Sequence, residues 1–267
     1  MKLKLLLSIL MIGLIMACSE DEKSAAGPEE VEVNNSAKIA ELFPVNVGSS
    51  FTYNMEELNP STGIYETVGS RTMSVDNKET DSEKNYFYCS EVHNLLSGAS
   101  VLNSKFLITN NALEVYQDTA GVSVLIPDSL KTMVQLQLSE NLKLINYPYE
   151  EGTEWIAYKG EAKFGTINFK VYSITGKYVG SENIQVPKYE NGIESEKFKY
   201  TISINIPDIS NPFVSSIQDY VVHLWIAKNV GIVKIEGYAV LINTISGGTF
   251  DLSDSNKVFR HTLVNAQ

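Results

Sequence analysis

The sequence predicts a mainly β protein: one large, strongly curved antiparallel sheet or open barrel, with one or two short helices. Three observations lead there. Nine segments rich in β-branched and aromatic residues alternate apolar and polar side chains with period two, as strands with one buried face do. Clusters of Gly, Pro, Asn, Asp and Ser separate them at short intervals. No βαβ rhythm appears, which argues against a parallel sheet.

In chain order, Lys2 and Lys4 precede an apolar run, Leu5 to Met16, broken only by Ser8 and Gly13. A bilayer core needs about 20 apolar residues, so this run reads as a secretory signal, not a membrane span. It ends in Leu14-Ile15-Met16-Ala17-Cys18, which resembles the lipobox of bacterial lipoprotein precursors: Ile15 is the aliphatic residue three before the cysteine and Ala17 the small one before it. Met16 is bulkier than usual there. The resemblance implies cleavage after Ala17 and acylation of Cys18, which becomes a lipid-anchored N-terminus. Ser19 next to it, followed by Glu20-Asp21-Glu22, is similar to an outer-membrane sorting context and to the tag that places some lipoproteins on the cell exterior. The expected organisation is a signal peptide at 1–17, a lipidated tether at 18–36 and a single antiparallel β domain at 37–267.

Ser36 is a possible N-cap for a short helix, Ala37 to Phe43, stopped by Pro44. The expected strands follow: Ser50–Met55, Tyr86–Val92, Lys105–Thr109, Ala112–Tyr116, Val122–Ile126, Met133–Leu138, Thr166–Ile174, Phe198–Ile206 and Val221–Ile226. Turns are expected at Asn59–Gly63, Thr109–Ala112, Thr119–Gly121, Glu190–Gly192 and Ser246–Thr249. Asn191-Gly192 is a hairpin dipeptide. Asp76 to Lys84 reads as an exposed charged loop, and Asp208 to Asp219 as a loop or broken helix.

One stretch occurs twice. Phe43-Pro44…Gly48-Ser49…Phe51 returns as Tyr147-Pro148…Gly152-Thr153…Trp155. Proline fixes φ and extends the residue before it, glycine permits a tight turn, and the aromatic anchors a strand entry. These are parts of a clamp, and none is a nucleophile or proton carrier. The rival use of Phe51 and Trp155 is an aromatic platform for carbohydrate.

The second copy is followed by Glu182, Ile184, Val186 and Pro187, then by Trp225, Ala227, Val230, Gly231, Val233 and Lys234. This order resembles a largely uncharacterised group of bacterial secreted proteins and lipoproteins closing on Trp-x-Ala-x-x-Val-Gly-x-Val-Lys. The resemblance implies a curved sheet similar to lipoprotein carriers, which hold acyl chains in an apolar concavity around a short helix. It carries no catalytic residue onto this chain.

Removing Lys2 and Lys4 from the 21 basic residues leaves 19 against 32 acidic ones, a net charge of −13. That balance disfavours nucleic acid and adsorption to anionic bilayers. Cys89, the other of two cysteines, lies in an aromatic strand and reads as a buried small apolar residue without a disulfide partner. His93, His223 and His261 are far apart, with no metal-ligand spacing. His223 is out of parity with Val222 and Leu224 and is expected at the surface or in one core hydrogen bond. No nucleophile elbow, Ser-x-x-Lys pair or phosphate loop occurs. Glu150, Glu151 and Glu154 are candidate paired carboxylates for glycoside hydrolysis, and Asp251–Asn256 a candidate calcium loop; both read as solvated turns. The expected function is a non-enzymatic binding module, lipid-anchored at Cys18 in the outer membrane and facing outward, with a lipid or protein ligand and no cofactor or metal. A glycan-binding or adhesion module is the alternative, and a hydrolase the third.

Overall fold

In the computed structural model the described residues are 34–81, 84–117, 126, 131–207, 215–245 and 252–267. The signal, Cys18 and the tether up to residue 33 lie outside them, as do 122–125 of an expected strand, the 119–121 turn and the 246–249 turn. Asn34–Gln267 form one compact unit.

The strands are β1 (Ser50–Asn59), β2 (Ile64–Asp81), β3 (Lys84–Leu95), β4 (Gly98–Ile108), β5 (Ala112–Tyr116), β6 (Val134–Leu138), β7 (Asn141–Asn146), β8 (Glu154–Phe164), β9 (Ile167–Val186), β10 (Tyr189–Pro207), β11 (Ser215–Ala227), β12 (Gly231–Tyr238) and β13 (Val258–Ala266). The helices are α1 (Ser36–Leu42) and α2 (Ala239–Ile245). All thirteen strands form one antiparallel sheet in the order β6-β8-β9-β10-β11-β12-β13-β1-β2-β3-β4-β5-β7. Two five-strand meanders, β1–β5 and β8–β12, stand side by side, and the last strand joins them by pairing with both β12 and β1.

The sheet is open but strongly curled. The edge strand β7 returns to the opposite end, where Trp155 Nε1 on β8 donates to Lys143 O at 3.0 Å and the Tyr200 hydroxyl on β10 donates to Leu144 O. The inner face buries Phe51, Tyr53, Met73, Phe106, Trp155, Phe198, Tyr200, Val222 and Leu224 in one core. Helix α2 is buried nearly all round, as expected of a helix in which five of seven residues are apolar. Gln117 Nε2 donates to Thr244 O at 2.9 Å and so satisfies a carbonyl at its C-terminal end.

The duplicated stretch is architecture. In the first copy Gly48 (φ 90°) donates to Val75 O at 2.8 Å, Val75 donates to Ser49 O at 2.9 Å, and Asn46 N donates to Ser49 Oγ at 3.1 Å. In the second, Gly152 (φ 89°) donates to Tyr178 O at 2.9 Å, Tyr178 donates to Thr153 O at 3.0 Å, and Glu150 N donates to Thr153 Oγ1 at 2.9 Å. Each corner thus pins a strand entry to the strand that follows it. Phe51 faces Met73, whereas the larger Trp155 faces Gly176. A Cβ on Gly176 would lie 2.4 Å from Trp155 Cε2, so the glycine makes room for the indole. Tyr147-Pro148 is cis.

Several expectations are corrected. The β9–β10 turn lies at Pro187 and Lys188, not at Glu190–Gly192, so Asn191-Gly192 falls inside β10 at a register irregularity. Asp76–Asp81 are not a loop: Asn77↔Tyr88 through Asp81↔Lys84 continue the β2–β3 ladder. The β2 residues there are exposed on both faces, so no apolar alternation marks them. Ser215–Asp219 belong to β11 and pair with β10 out to Pro207↔Ser215. Ser36 is the first helical residue and not the cap; Asn35 takes the cap position, and Asn34 Oδ1 accepts from Ser36 N at 2.9 Å. Strand β6 begins at Val134, one residue after Met133.

Candidate functional site

The inner face carries one charged island. Cross-strand register places Tyr53 opposite Arg71 and Leu263, Arg71 opposite His93, and Met55 opposite His261. Residues directly opposite in a sheet share a face. Tyr53, Arg71, His93 and His261 therefore project into the same interior, and Glu91 joins them from two residues before His93. Arg71, Glu91, His93, Ser104 and His261 are all buried, Glu91 completely.

Arg71 Nε donates to Glu91 Oε2 at 2.6 Å, and Ser104 Oγ donates to Glu91 Oε1 at 3.1 Å. His93 Nε2 lies 3.5 Å from the same Oε2. The guanidinium also sits 5.3 Å from the centre of the Tyr53 ring, whose hydroxyl donates to Ile232 O at 3.1 Å. Burial by itself would raise the Glu91 carboxyl, but the Arg71 charge and the hydrogen bonds from His93 and Arg71 outweigh it and hold the group below its ordinary range. Arg71 is raised because Glu91 outweighs its own desolvation. The pair is thus an ionised, mutually compensated couple. His261 is driven well below its ordinary value by burial, then by the nearby Arg71 and His93 charges, and is neutral.

Two polar atoms of the island, Arg71 Nη1 and His261 Nδ1, are buried without a hydrogen-bond partner among the described residues. Such atoms are rare and costly in native interiors.

The island was missed in the sequence, although a signal existed. Cys89, Glu91 and His93 share the parity of Phe87, and His261 that of Leu263. Polar residues on the core-facing register of a strand mark a buried cluster.

The remaining candidates fall elsewhere. Cys89 is buried and free, and its thiol is pushed up to about 12 by desolvation, with Glu91 and Asp76 adding to it. His223 lies half-buried on the face opposite Leu224, 5.8 Å from the Trp225 ring; burial, then Lys197 and Lys199, lower it. Glu150, Glu151 and Glu154 are exposed, and Glu154 pairs with Lys177 at 2.9 Å. Asp254 pairs with Lys257 at 3.0 Å. Among the described residues no group of three or more His, Cys, Asp or Glu is placed to hold a metal ion.

Glu182, Trp225 and Lys234, scattered in sequence, do converge. Trp225 Nε1 donates to Glu182 Oε1, while Lys197 and Lys234 lie 4.9 and 4.4 Å from the indole ring. Lys197 Nζ also reaches Glu182 at 3.1 Å. The pattern holds a tryptophan between two ammonium groups and stitches β9 through β12 together. Its role is structural.

No family model matches the chain, and no curated protein matches it. Among solved structures it is similar to a crystal structure provisionally described as an exported protein with YmcC-like fold from Bacteroides fragilis NCTC 9343. The TM-score is 0.47 at 13% identity, over 83% of this chain and 96% of that one. It is also similar to one provisionally described as a lipoprotein from Parabacteroides distasonis ATCC 8503, with TM-score 0.47, 12% identity and the same coverage of 83% and 96%.

Proposed function

We propose that the chain is an acyl-anchored lipoprotein of the outer membrane, facing the cell exterior, whose β body binds a ligand without transforming it. The ligand in this reading is a lipid taken up by the inner face of the sheet. The anchor rests on Lys2, Lys4, the Leu5–Met16 run and Ala17-Cys18, and the exterior placement on Ser19 to Glu22.

One observation carries the binding reading: a charged island with two unpartnered polar atoms stands on an inner face that is otherwise aliphatic and aromatic. Its groups are arranged to hold charge and not to move protons. The Ser104 hydroxyl donates to Glu91 and not to a histidine, and Glu91 is fixed by Arg71; a nucleophile with a base in reach is the minimum for acyl transfer. The glycan alternative gains little support, because the clamp aromatics Phe51 and Trp155 face the core. Among the residues whose side-chain burial is described, Tyr116 is the one exposed aromatic ring.

Growth on labelled palmitate tests the anchor: label is expected on the wild type and absent from Cys18→Ala, and equal labelling refutes it. Solvent extraction of the detergent-purified full chain tests the ligand: about one lipid per chain is expected beyond the covalent anchor, and none refutes the reading.

A further inference from the structure

We infer that Arg71 Nη1 and His261 Nδ1 form a receptor for a carboxylic acid group, with the ligand's carbonyl accepting from the guanidinium and its proton shared with the imidazole. The inference deepens the binding reading by giving the ligand's head chemistry, and it rests on that reading.

The argument begins with the guanidinium. Arg71 presents its Nε–H flank to Glu91 on β3. Nη1 lies on the opposite flank of the planar group, away from Glu91. The guanidinium lies over the Tyr53 ring on β1, and next to β1 stands β13, which carries His261 opposite Met55. His261 is close enough for Arg71 to depress its protonation. Two buried polar atoms with no partner among the described residues therefore stand on the same inner face, on the two strands either side of β1.

Charge decides the ligand class. Arg71 is already matched by Glu91, so a permanent anion such as a sulfate or phosphate ester would bring an uncompensated charge into an apolar interior. A neutral imidazole offers a lone pair at Nδ1 in one tautomer, and Nη1 offers only protons. The complement is a group with one acceptor and one donor on adjacent atoms and no net charge. A carboxylic acid meets this, and a carboxylate with a protonated His261 is the same species with the proton moved. An ester can satisfy Nη1 alone; a hydroxyl can satisfy both atoms only from a single oxygen and takes up no proton, whereas a carboxyl spans them with two oxygens.

The other titratable or charged groups on the inner face around His261 are Tyr53 on β1, Arg71 on β2, and Glu91 and His93 on β3; β12 presents apolar Ile235 opposite it. None of them supplies the missing acceptor. The proton balance follows. In neutral solution the free acid is a carboxylate and His261 is uncharged, so the complex takes up one proton: RCOO⁻ plus H⁺ plus site gives the bound acid. Affinity for such a ligand should fall about tenfold per pH unit above the acid's own pKa.

The test is isothermal titration of the full chain in detergent, stripped of extractable lipid, with octanoate, methyl octanoate and 1-octanol. Buffers of different ionisation enthalpy report proton uptake. Saturable octanoate binding with uptake near one proton, at least about tenfold weaker binding of the ester, and no proton uptake with the alcohol are expected. His261→Leu, with unchanged circular dichroism, should lose the octanoate preference and the proton uptake. Equal binding of all three compounds, octanoate binding without proton uptake, or full binding by His261→Leu overturns the proposal. No binding, with a water joining Nη1 to Nδ1 in a crystal structure, overturns it too. The wild-type proton measurement decides even if the variant fails to fold. A co-extracted lipid without a free carboxyl would sink this inference and leave the binding reading standing.

Discussion

Removing the Glu91 carboxylate is the most informative single perturbation of this molecule. Its side chain is fully buried, that of Arg71 is 3% exposed, and the two meet at 2.6 Å. In Glu91→Ala the guanidinium stays buried without its counter-charge. Breaking one partner of such a pair costs about 3–5 kcal/mol. For a body of this size each kcal/mol moves Tm by about 2–4 °C, so the expected drop is about 6–20 °C. Urea denaturation followed by tryptophan fluorescence gives the free energy directly, with an unchanged m-value as the check on a common unfolded state. The double variant Arg71→Met with Glu91→Leu removes both charges and should recover most of the loss, because apolar replacements of buried pairs are often neutral or stabilising. A Glu91→Ala variant within about 1 kcal/mol of the wild type would refute the compensated-couple description. A double variant as unstable as the single would refute it equally.

Other expectations follow from the same geometry. Gly176→Ala should cost about 1–3 kcal/mol by pressing a methyl into the Trp155 indole, and Trp155→Phe should relieve it, since the first copy uses Phe51 at that place; an unchanged melting temperature in Gly176→Ala contradicts the packing. Gly48→Ala and Gly152→Ala meet no neighbouring atom within 4 Å, so their cost is conformational, about 1–2 kcal/mol each from the positive φ, and equal for both corners. A large difference between them in denaturant titration would mean the corners are not equivalent. His261 is neutral in the fold, so below about pH 6.5 the unfolded chain binds a proton that the folded chain refuses, and stability falls as pH drops toward the folded value. His223, also lowered, adds in the same direction, whereas the contribution of Glu91 is lost only as pH falls further, through its depressed value. His261→Leu should flatten the stability curve between about pH 6.5 and 5, where one histidine accounts for up to about 1.4 kcal/mol per pH unit; an unaltered slope contradicts the burial of a neutral imidazole.

Much of the fold was legible because alternation is a local signal. Segments such as Phe198–Ile206 and Val221–Ile226 report their own buried face, and the Pro–Gly corners report strand entries. Strands β2, β7 and β13 are not among the expected ones, and three further features were not legible. The end of β2 lacks alternation because its residues 76–81 are exposed on both faces. Helix α2 is apolar at nearly every position, and periodicity cannot distinguish so short a run from a strand. The charged island depends on which strands become neighbours. His261 reaches the vicinity of Arg71 because the last strand pairs beside the first, a long-range choice that no window of sequence contains. The convergence of Glu182, Trp225 and Lys234 was hidden for the same reason, although their order had been noticed.

The most direct measurement is a high-resolution crystal structure of the full chain purified from its own membranes without lipid stripping. The density between Arg71 Nη1 and His261 Nδ1 is then the observation of interest. A carboxyl-shaped feature bonded to both atoms and continuing into an apolar tail is the expected result. Ordered water completing both hydrogen bonds, with side chains packed against it on every side, would contradict the claim that the inner face of this sheet is a ligand site.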